Sequence, residues 1–115
     1  MIARDAEKTI RRYSAIHKIR LLYPSMMPER NEGGQSRRTI WLGEFDEADC
    51  LVAAFFHEVG HIIDCRKKSS RNHRITLFEH ELRAWVFGSE EMHRFGIGTT
   101  AKMFEYMVNR INSYT

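Results

Sequence analysis

Apolar side chains recur at helical spacing near the beginning of the chain. Ala6, Ile10, Tyr13 and Ile16 follow one another at intervals of four, three and three residues, and charged residues lie between them. This pattern predicts an amphipathic helix over residues 3–22, with one face packed on a core.

The next segment predicts a loop and then a strand. Pro24 and Pro28 end the first helix, and residues 31–34 (Asn-Glu-Gly-Gly) show no periodicity, which indicates a loop with a turn. Residues 38–45 (RTIWLGEF) are rich in β-branched and aromatic side chains, so we predict one strand there.

The most apolar part of the chain predicts a central helix. Asp46 suits the N-cap position, and the helix runs from there to about Cys65. Apolar side chains cover nearly its whole circumference: Ala48, Leu51, Val52, Ala53, Ala54, Phe55, Phe56, Val59, Ile62 and Ile63. We therefore expect a buried helix, in which any polar residue needs a specific reason.

Two further helices follow. Thr76 and Glu79 match a capping box, and the helix that they open runs to about Phe95. A last helix begins at Thr99 or Thr100.

Length and composition limit the architecture to one domain. The 115 residues are 43% hydrophobic and 29% charged, which is enough for one modest core and argues against disorder. We expect one α+β domain over residues 1–115, mostly helical, with a short strand or hairpin region and about four helices.

The net charge of +3 arises from a local patch. Five of the 18 basic residues lie in residues 66–74, namely Arg66, Lys67, Lys68, Arg71 and Arg74, and the rest of the chain is slightly acidic. No aromatic residue is interleaved there for base stacking, so nucleic-acid binding is disfavoured. We expect an exposed connection that favours an acidic substrate or partner.

The sequence also predicts a cytoplasmic protein that does not span a membrane. The longest apolar run, Leu51 to Phe56, has six residues, against the roughly 20 that a membrane-spanning helix needs. Cys50 and Cys65 would lie about 22 Å apart on one helix, too far for a disulfide. Reduced thiols fit a reducing compartment.

The buried helix contains the HExxH pattern, His57-Glu58-Val59-Gly60-His61. Residues i and i+4 of a helix share one face, so the two imidazoles can bind one zinc ion, and the intervening Glu can take a proton from zinc-bound water. Composition alone predicts roughly 0.03 such patterns by chance. Gly60 is unfavourable in a helix, and a close approach of another backbone or of substrate would explain it.

A catalytic zinc ion needs a third protein ligand and one open position. The downstream candidates are His73, Glu79, His80 and Glu81. Glu79 belongs to the capping box and His73 to the basic segment. His80 and Glu81 project about 100° apart, and only Glu81 shares a face with the apolar stripe of its helix. We favour Glu81, with His80 and Glu79 left open.

HEVGH followed by ELRAW resembles the zincin metallopeptidases, in which the third ligand is a glutamate on a following helix. The nearest resemblance is to the short bacterial and phage ImmA/IrrE-type (gluzincin-like) peptidases, over about residues 38–95, although Trp85 stands where Asn is expected. The resemblance implies a minimal zincin-like domain with zinc on His57, His61 and Glu81, and with Glu58 as general base.

The function expected from these residues is zinc-dependent hydrolysis of a peptide bond by metal-activated water, with Glu58 accepting the proton. The strand at 38–45 would run along the cleft and align an extended peptide. The oxyanion donor is left open among four residues: His73, His80, Arg83 and Tyr106. The alternative is an inactive zincin-scaffold protein, such as a phage or bacterial regulatory factor that binds a host protein.

Two residues just after the motif have ordinary interpretations. Asp64 could orient a ligand imidazole, but we expect it to face solvent. Cys65, four residues after His61, could bind the metal, although a small apolar role is favoured.

Overall fold

The computed structural model of the protein describes residues 1–26, 29–67 and 76–114, without the side chains of Arg66 and Lys67. Of the predicted exposed connection at 66–74, residues 66 and 67 continue the helix that precedes it, whereas residues 68–74, with His73, and the basic side chains of the connection lie outside the described residues.

The described residues form four helices and one three-stranded sheet. The helices are α1 (Ala3–Ile16), α2 (Ala48–Lys67), α3 (Leu77–Arg94) and α4 (Ala101–Asn112), and the strands are β1 (Arg20–Leu22), β2 (Gly33–Ser36) and β3 (Thr39–Leu42). The α+β, mostly helical architecture predicted from the sequence is confirmed.

The first helix is shorter than predicted. Its buried stripe contains Ala6, Ile10 and Tyr13, whereas Ile16 is exposed. The prediction of a helix to residue 22 is wrong because Lys18 adopts a left-handed backbone conformation (φ 55°) and the chain then enters β1. Pairing with another strand, which apolar periodicity does not reveal, determines this change of structure.

The sheet has the order β1-β3-β2, so β3 is the central strand. β1 lies parallel to β3, and β2 lies antiparallel to it. The strand predicted at 38–45 is present but shorter, at Thr39–Leu42. The loop predicted at 31–34 is wrong in its second half, since Gly33 and Gly34 belong to β2. Glycines carry no apolar pattern; here the small size of Gly33 leaves room for the Leu42 side chain, and that of Gly34 leaves room for the Trp41 indole.

The second helix lies at the centre of the domain, in contact with α1, α3, α4, β2 and β3. All residues from 51 to 62 are buried, and full burial of a side chain such as Phe55 or Phe56 contributes roughly 1.5–3 kcal/mol. The predicted N-cap is wrong: Asp46 precedes the helix and instead binds Arg30 Nε (2.8 Å) and Asn31 Nδ2 (2.9 Å).

The ends of the last two helices follow the predicted chemistry. Thr76 and Glu79 form the capping box, and Thr100 caps α4 by accepting a hydrogen bond from the Met103 N–H. After α3, Gly96 has φ 90° and its N–H bonds the carbonyl of His93, a turn that favours glycine.

Two glycines allow α2 and α3 to approach closely. A Cβ built on Gly60 would lie 1.8 Å from the Ala84 carbonyl oxygen, and one on Gly88 would lie 2.1 Å from the Phe56 carbonyl oxygen. The close approach of another backbone, one of the two explanations expected for Gly60, is therefore present. This contact brings the HExxH face of α2 against α3.

Cys50 and Cys65 are both free thiols. Among the residues described, no helix combines the length and apolarity required to cross a membrane.

Candidate metal centre

The two motif histidines project from adjacent turns of α2 toward α3. Their ring centroids lie 4.7 Å apart, and both residues are buried. Each ring directs Nε2 toward the carboxylate of Glu81. The i, i+4 spacing thus places the same nitrogen of both imidazoles at one point.

Glu81 supplies the oxygen atoms at this point from the first half of α3. Its Oε1 lies 2.9 Å from His57 Nε2, and its Oε2 lies 3.1 Å from His61 Nε2. The ligand atoms of all three residues lie within 4.8 Å of one another, so this group could hold a metal ion. Tetrahedral zinc, with bonds of about 2.0–2.2 Å, separates its ligand atoms by roughly 3.3 Å. The distances from the Glu81 oxygens to the two Nε2 atoms, 2.9 and 3.1 Å, are close to that spacing.

The charges of the group are mutually stabilising. Burial raises the pKa of Glu81, but hydrogen bonds from His57 and His61 outweigh burial and hold that pKa well below its usual range. Burial lowers the pKa of His57, which favours its neutral ring. At His61 burial lowers the pKa, but the hydrogen bond and the negative charge of Glu81 outweigh burial and raise the pKa, which favours the protonated ring. A deprotonated carboxylate and a neutral imidazole are the forms that bind metal ions, so a metal ion would have to displace the His61 proton.

Packing fixes the ring of His57. Its Nδ1 is buried and has no hydrogen-bond partner within the described part of the chain, and the same holds for His61. The His57 ring instead stacks on the Trp85 indole, with centroids 4.1 Å apart and planes inclined by 27°. Metal-binding histidines are usually oriented by a hydrogen bond at the second ring nitrogen. At His57, stacking on the Trp85 indole orients the ring in place of such a bond.

Glu58 lies beside the histidines and borders the same cavity. It is only 7% exposed. Burial, opposed by the charges of His61 and Arg110, raises its pKa to about 7. A carboxyl group with this pKa can both accept and release a proton near neutral pH.

The candidate metal centre opens into a cavity of about 330 Å³. One wall is formed by the sheet, through Gly33, Gly34 and Gln35 of β2 and Trp41 of β3. The opposite elements contribute Tyr106, Arg110 and Tyr114, from α4 and the residues after it. Pockets of this size suit small ligands or short peptide segments.

The expected role of the strand at 38–45 needs correction. β3 is paired on both sides, by β1 and β2, so it has no free edge for a peptide. β2 pairs with β3 alone among the described strands and contributes three residues to the cavity wall. The edge available to an extended ligand is therefore that of β2.

The other third-ligand candidates have different positions. Glu79 is engaged in the capping box, and Cys65 is exposed. His80 borders the cavity, but its Nδ1 faces Asp64 Oδ2 at 3.6 Å, and it is not part of the His57, His61 and Glu81 group.

The predicted oxyanion donors differ in whether they border the cavity. His80 and Tyr106 border the cavity, but the Tyr106 hydroxyl donates to the carbonyl oxygen of Asn31 at 2.9 Å. Arg83 does not line the cavity and instead binds Asp64.

The expectation that Asp64 faces solvent is wrong. Asp64 is completely buried, and its Oδ1 accepts hydrogen bonds from Arg83 Nε and Nη2 at 3.0 and 2.7 Å. The burial depends on α3, which the local sequence around Asp64 cannot reveal.

Arg110 and Tyr114 were not among the predicted site residues. They continue the spacing of Met103 and Met107 at intervals of three or four residues, which places them on the inward face of α4 and its extension. An arginine on an otherwise apolar stripe was the available sequence signal.

Comparison of the chain with models of known protein families, with curated proteins and with solved structures yields no match. A function for the centre must therefore follow from its own residues.

Proposed function

We propose that this protein is a small zinc-dependent metallopeptidase. The observation that carries the proposal is the convergence of His57 Nε2, His61 Nε2 and the Glu81 carboxylate beside a cavity that Glu58 also borders. Two imidazoles and one carboxylate are a ligand set typical of catalytic zinc, with one position left for water.

His57, His61 and Glu81 would hold the metal. When bound there, zinc supplies a Lewis acid that polarises a carbonyl group and makes water nucleophilic near neutral pH. Glu58 would accept the proton of the attacking water on its carboxylate and then pass it to the amine of the leaving group. Its burial excludes competing solvent and keeps its pKa near the pH at which both transfers are favourable.

The free edge of β2 would align the substrate. An extended peptide can add to the free edge of a strand through main-chain hydrogen bonds, and Gly33, Gly34 and Gln35 of β2 line the cavity. The free thiols of Cys50 and Cys65 fit a reducing compartment such as the cytoplasm.

Metal content tests the first half of the proposal. Protein purified without a histidine tag should hold one equivalent of zinc, and His57→Ala should lose it. His93→Ala is the matched control, because His93 is exposed and lies outside the group. Absence of zinc from the wild-type protein would exclude a zinc peptidase.

Cleavage of a mixed-sequence, fluorescence-quenched peptide library tests the second half. Glu58→Gln should keep the zinc and abolish hydrolysis, since an amide cannot accept the proton. Zinc binding without any cleavage, and without an effect of Glu58→Gln, would favour the inactive binding protein instead.

A further inference from the structure

One cation of the cavity takes no part in the proposed peptide hydrolysis. Arg110 lies in the last turn of α4 and borders the cavity together with His57, Glu58 and Glu81. Apart from histidine, it is the only basic side chain of the cavity within the described residues. A guanidinium group offers a planar fork of N–H donors that matches a carboxylate.

The guanidinium group of Arg110 can still bind an anion, because its existing contacts are weak. Its acidic partner is Glu32, at 3.5 Å from Nη1, and the two side chains are 35% and 40% exposed. A long ion pair exposed to this degree contributes little stabilisation. An incoming carboxylate can therefore displace it at small cost.

Tyr114 adds a hydroxyl group beside the guanidinium. The Tyr114 side chain interacts with both Arg110 and Glu81. It therefore lies between the candidate metal centre and the cation, where its O–H can point to either a ligand or Glu81. Arg110 and Tyr114 together present a positive charge and a neutral donor on one wall.

Arg110 and Glu58 border one cavity of about 330 Å³. A ligand held by Arg110 would therefore sit within the same small cavity as Glu58.

We propose that Arg110 and Tyr114 form a carboxylate-binding subsite in this cavity. If the protein is a peptidase as proposed, its preferred peptides carry a carboxylate beside the scissile bond. This part of the inference rests on the proposed function. The cavity already contains Glu58 and Glu81, so a singly charged carboxylate is favoured over a phosphate dianion. The carboxylate can be the C-terminus of a peptide or an Asp or Glu side chain.

The test is a binding titration of the full chain in the presence of a chelator, because a bound cation would itself attract anions. Both tryptophans of the chain, Trp41 and Trp85, line the cavity, so their indole N–H resonances report occupancy. N-acetylglycine supplies a terminal carboxylate, N-acetylglutamic α-amide supplies a side-chain carboxylate, and N-acetylglycinamide supplies none.

At least one carboxylate should bind about tenfold or more tightly than the neutral amide. Arg110→Gln should remove this preference, Arg110→Lys should keep part of it, and Tyr114→Phe should weaken it several-fold. Arg94→Gln is the matched control: Arg94 lies in the last turn of α3, outside the cavity. The tighter-binding carboxylate identifies the source, terminal or side-chain.

Equal binding of acid and amide, or an unchanged preference in Arg110→Gln, would overturn the subsite. The result does not depend on zinc or turnover, so a protein that binds carboxylates but cleaves nothing would refute only the peptidase function. If cleavage does occur, peptides that bear the favoured carboxylate should react faster than their amides, and Arg110→Gln should remove this difference.

Discussion

The guanidinium of Arg83 donates two hydrogen bonds to a single oxygen of the buried Asp64 carboxylate, at 3.0 and 2.7 Å. Asp64 lies three residues after His61 on α2, and Arg83 lies two residues after Glu81 on α3. This ion pair therefore joins the two helices next to the residues that could hold a metal. It links α3 to α2 two residues away from Glu81.

Replacing Arg83 by Met should lower the free energy of unfolding by roughly 2–4 kcal/mol, because a buried carboxylate then loses its main partner. Urea denaturation with a chelator present measures this change. Arg94→Met is the control: Arg94 is 72% exposed, and Glu91 keeps the hydrogen bond from the Tyr13 hydroxyl when Arg94 is removed, so the loss should be clearly smaller than in Arg83→Met. Equal effects of the two substitutions would contradict the role given to Arg83.

Close packing at Gly60 gives a second prediction. In Gly60→Ala the new Cβ would meet the Ala84 carbonyl oxygen at 1.8 Å, and a backbone atom cannot move away as a side chain can. We expect a loss of roughly 3 kcal/mol or more in stability and weaker zinc binding, because α3 must shift away from the histidines. Thermal unfolding and chelator competition measure the two effects.

Gly98→Ala is the control for that substitution. Within the described parts of the chain, and apart from its two sequence neighbours, Gly98 has no heavy atom within 4 Å of a Cβ built on it. The free energy of unfolding of Gly98→Ala should stay within about 1 kcal/mol of the wild-type value. Any change should be a small gain, because alanine lowers the conformational entropy of the unfolded chain. A tolerated Gly60→Ala would show that the two helices are not held at this distance.

Local chemistry explains which parts of the fold the sequence could predict. The capping box of Thr76 and Glu79 and the buried character of α2 depend on neighbours within one helix, and both are present. β2 pairs with β3 directly after it in the chain, but its Gly-Gly-Gln-Ser sequence carries no apolar pattern that would reveal a strand. The buried position of Asp64 depends on Arg83 of another helix, which the sequence around Asp64 does not show.

The residues of the candidate site also differ in how far the sequence could predict them. His57 and His61 are linked by helical spacing, and Glu81 was favoured because a polar residue on an apolar stripe needs a partner. Arg110 satisfies the same criterion on α4, but only the folded chain shows which cavity it borders.

Stacking of Trp85 on His57 gives a third prediction. His57 Nδ1 has no hydrogen-bond partner among the described residues, so the ring is restricted by the indole and by the contact of Nε2 with Glu81. Trp85→Leu should weaken zinc binding by about tenfold. This is the smaller end of the loss in metal affinity that follows when a group orienting a metal ligand is removed. Trp85→Phe keeps a flat ring and should lose much less. Chelator competition ranks the two variants, and equal affinities would show that stacking does not position His57.

Asp49 gives a prediction about pH that does not involve the metal centre. Its Oδ2 accepts a hydrogen bond from Thr100 Oγ1 at 2.7 Å, and this bond is the main reason that the pKa of Asp49 is lowered. The folded state therefore favours the ionised carboxylate more than the unfolded state does. Such a group stabilises the fold above the unfolded-state pKa of about 3.9, and this contribution is lost as the pH falls through the folded-state pKa.

The free energy of unfolding of Asp49→Asn should consequently fall below that of the wild type by roughly 1 kcal/mol at pH 7, with the difference shrinking below about pH 4. Urea denaturation at a series of pH values measures the difference. Thr100→Val removes the donor, and in that background Asp49→Asn should show a smaller dependence on pH, with the remainder due to the N-terminal amine at 3.4 Å from Oδ1. A penalty that is the same at pH 3 and pH 7 would mean that the Asn side chain fails to pack, rather than that a charged hydrogen bond has been lost.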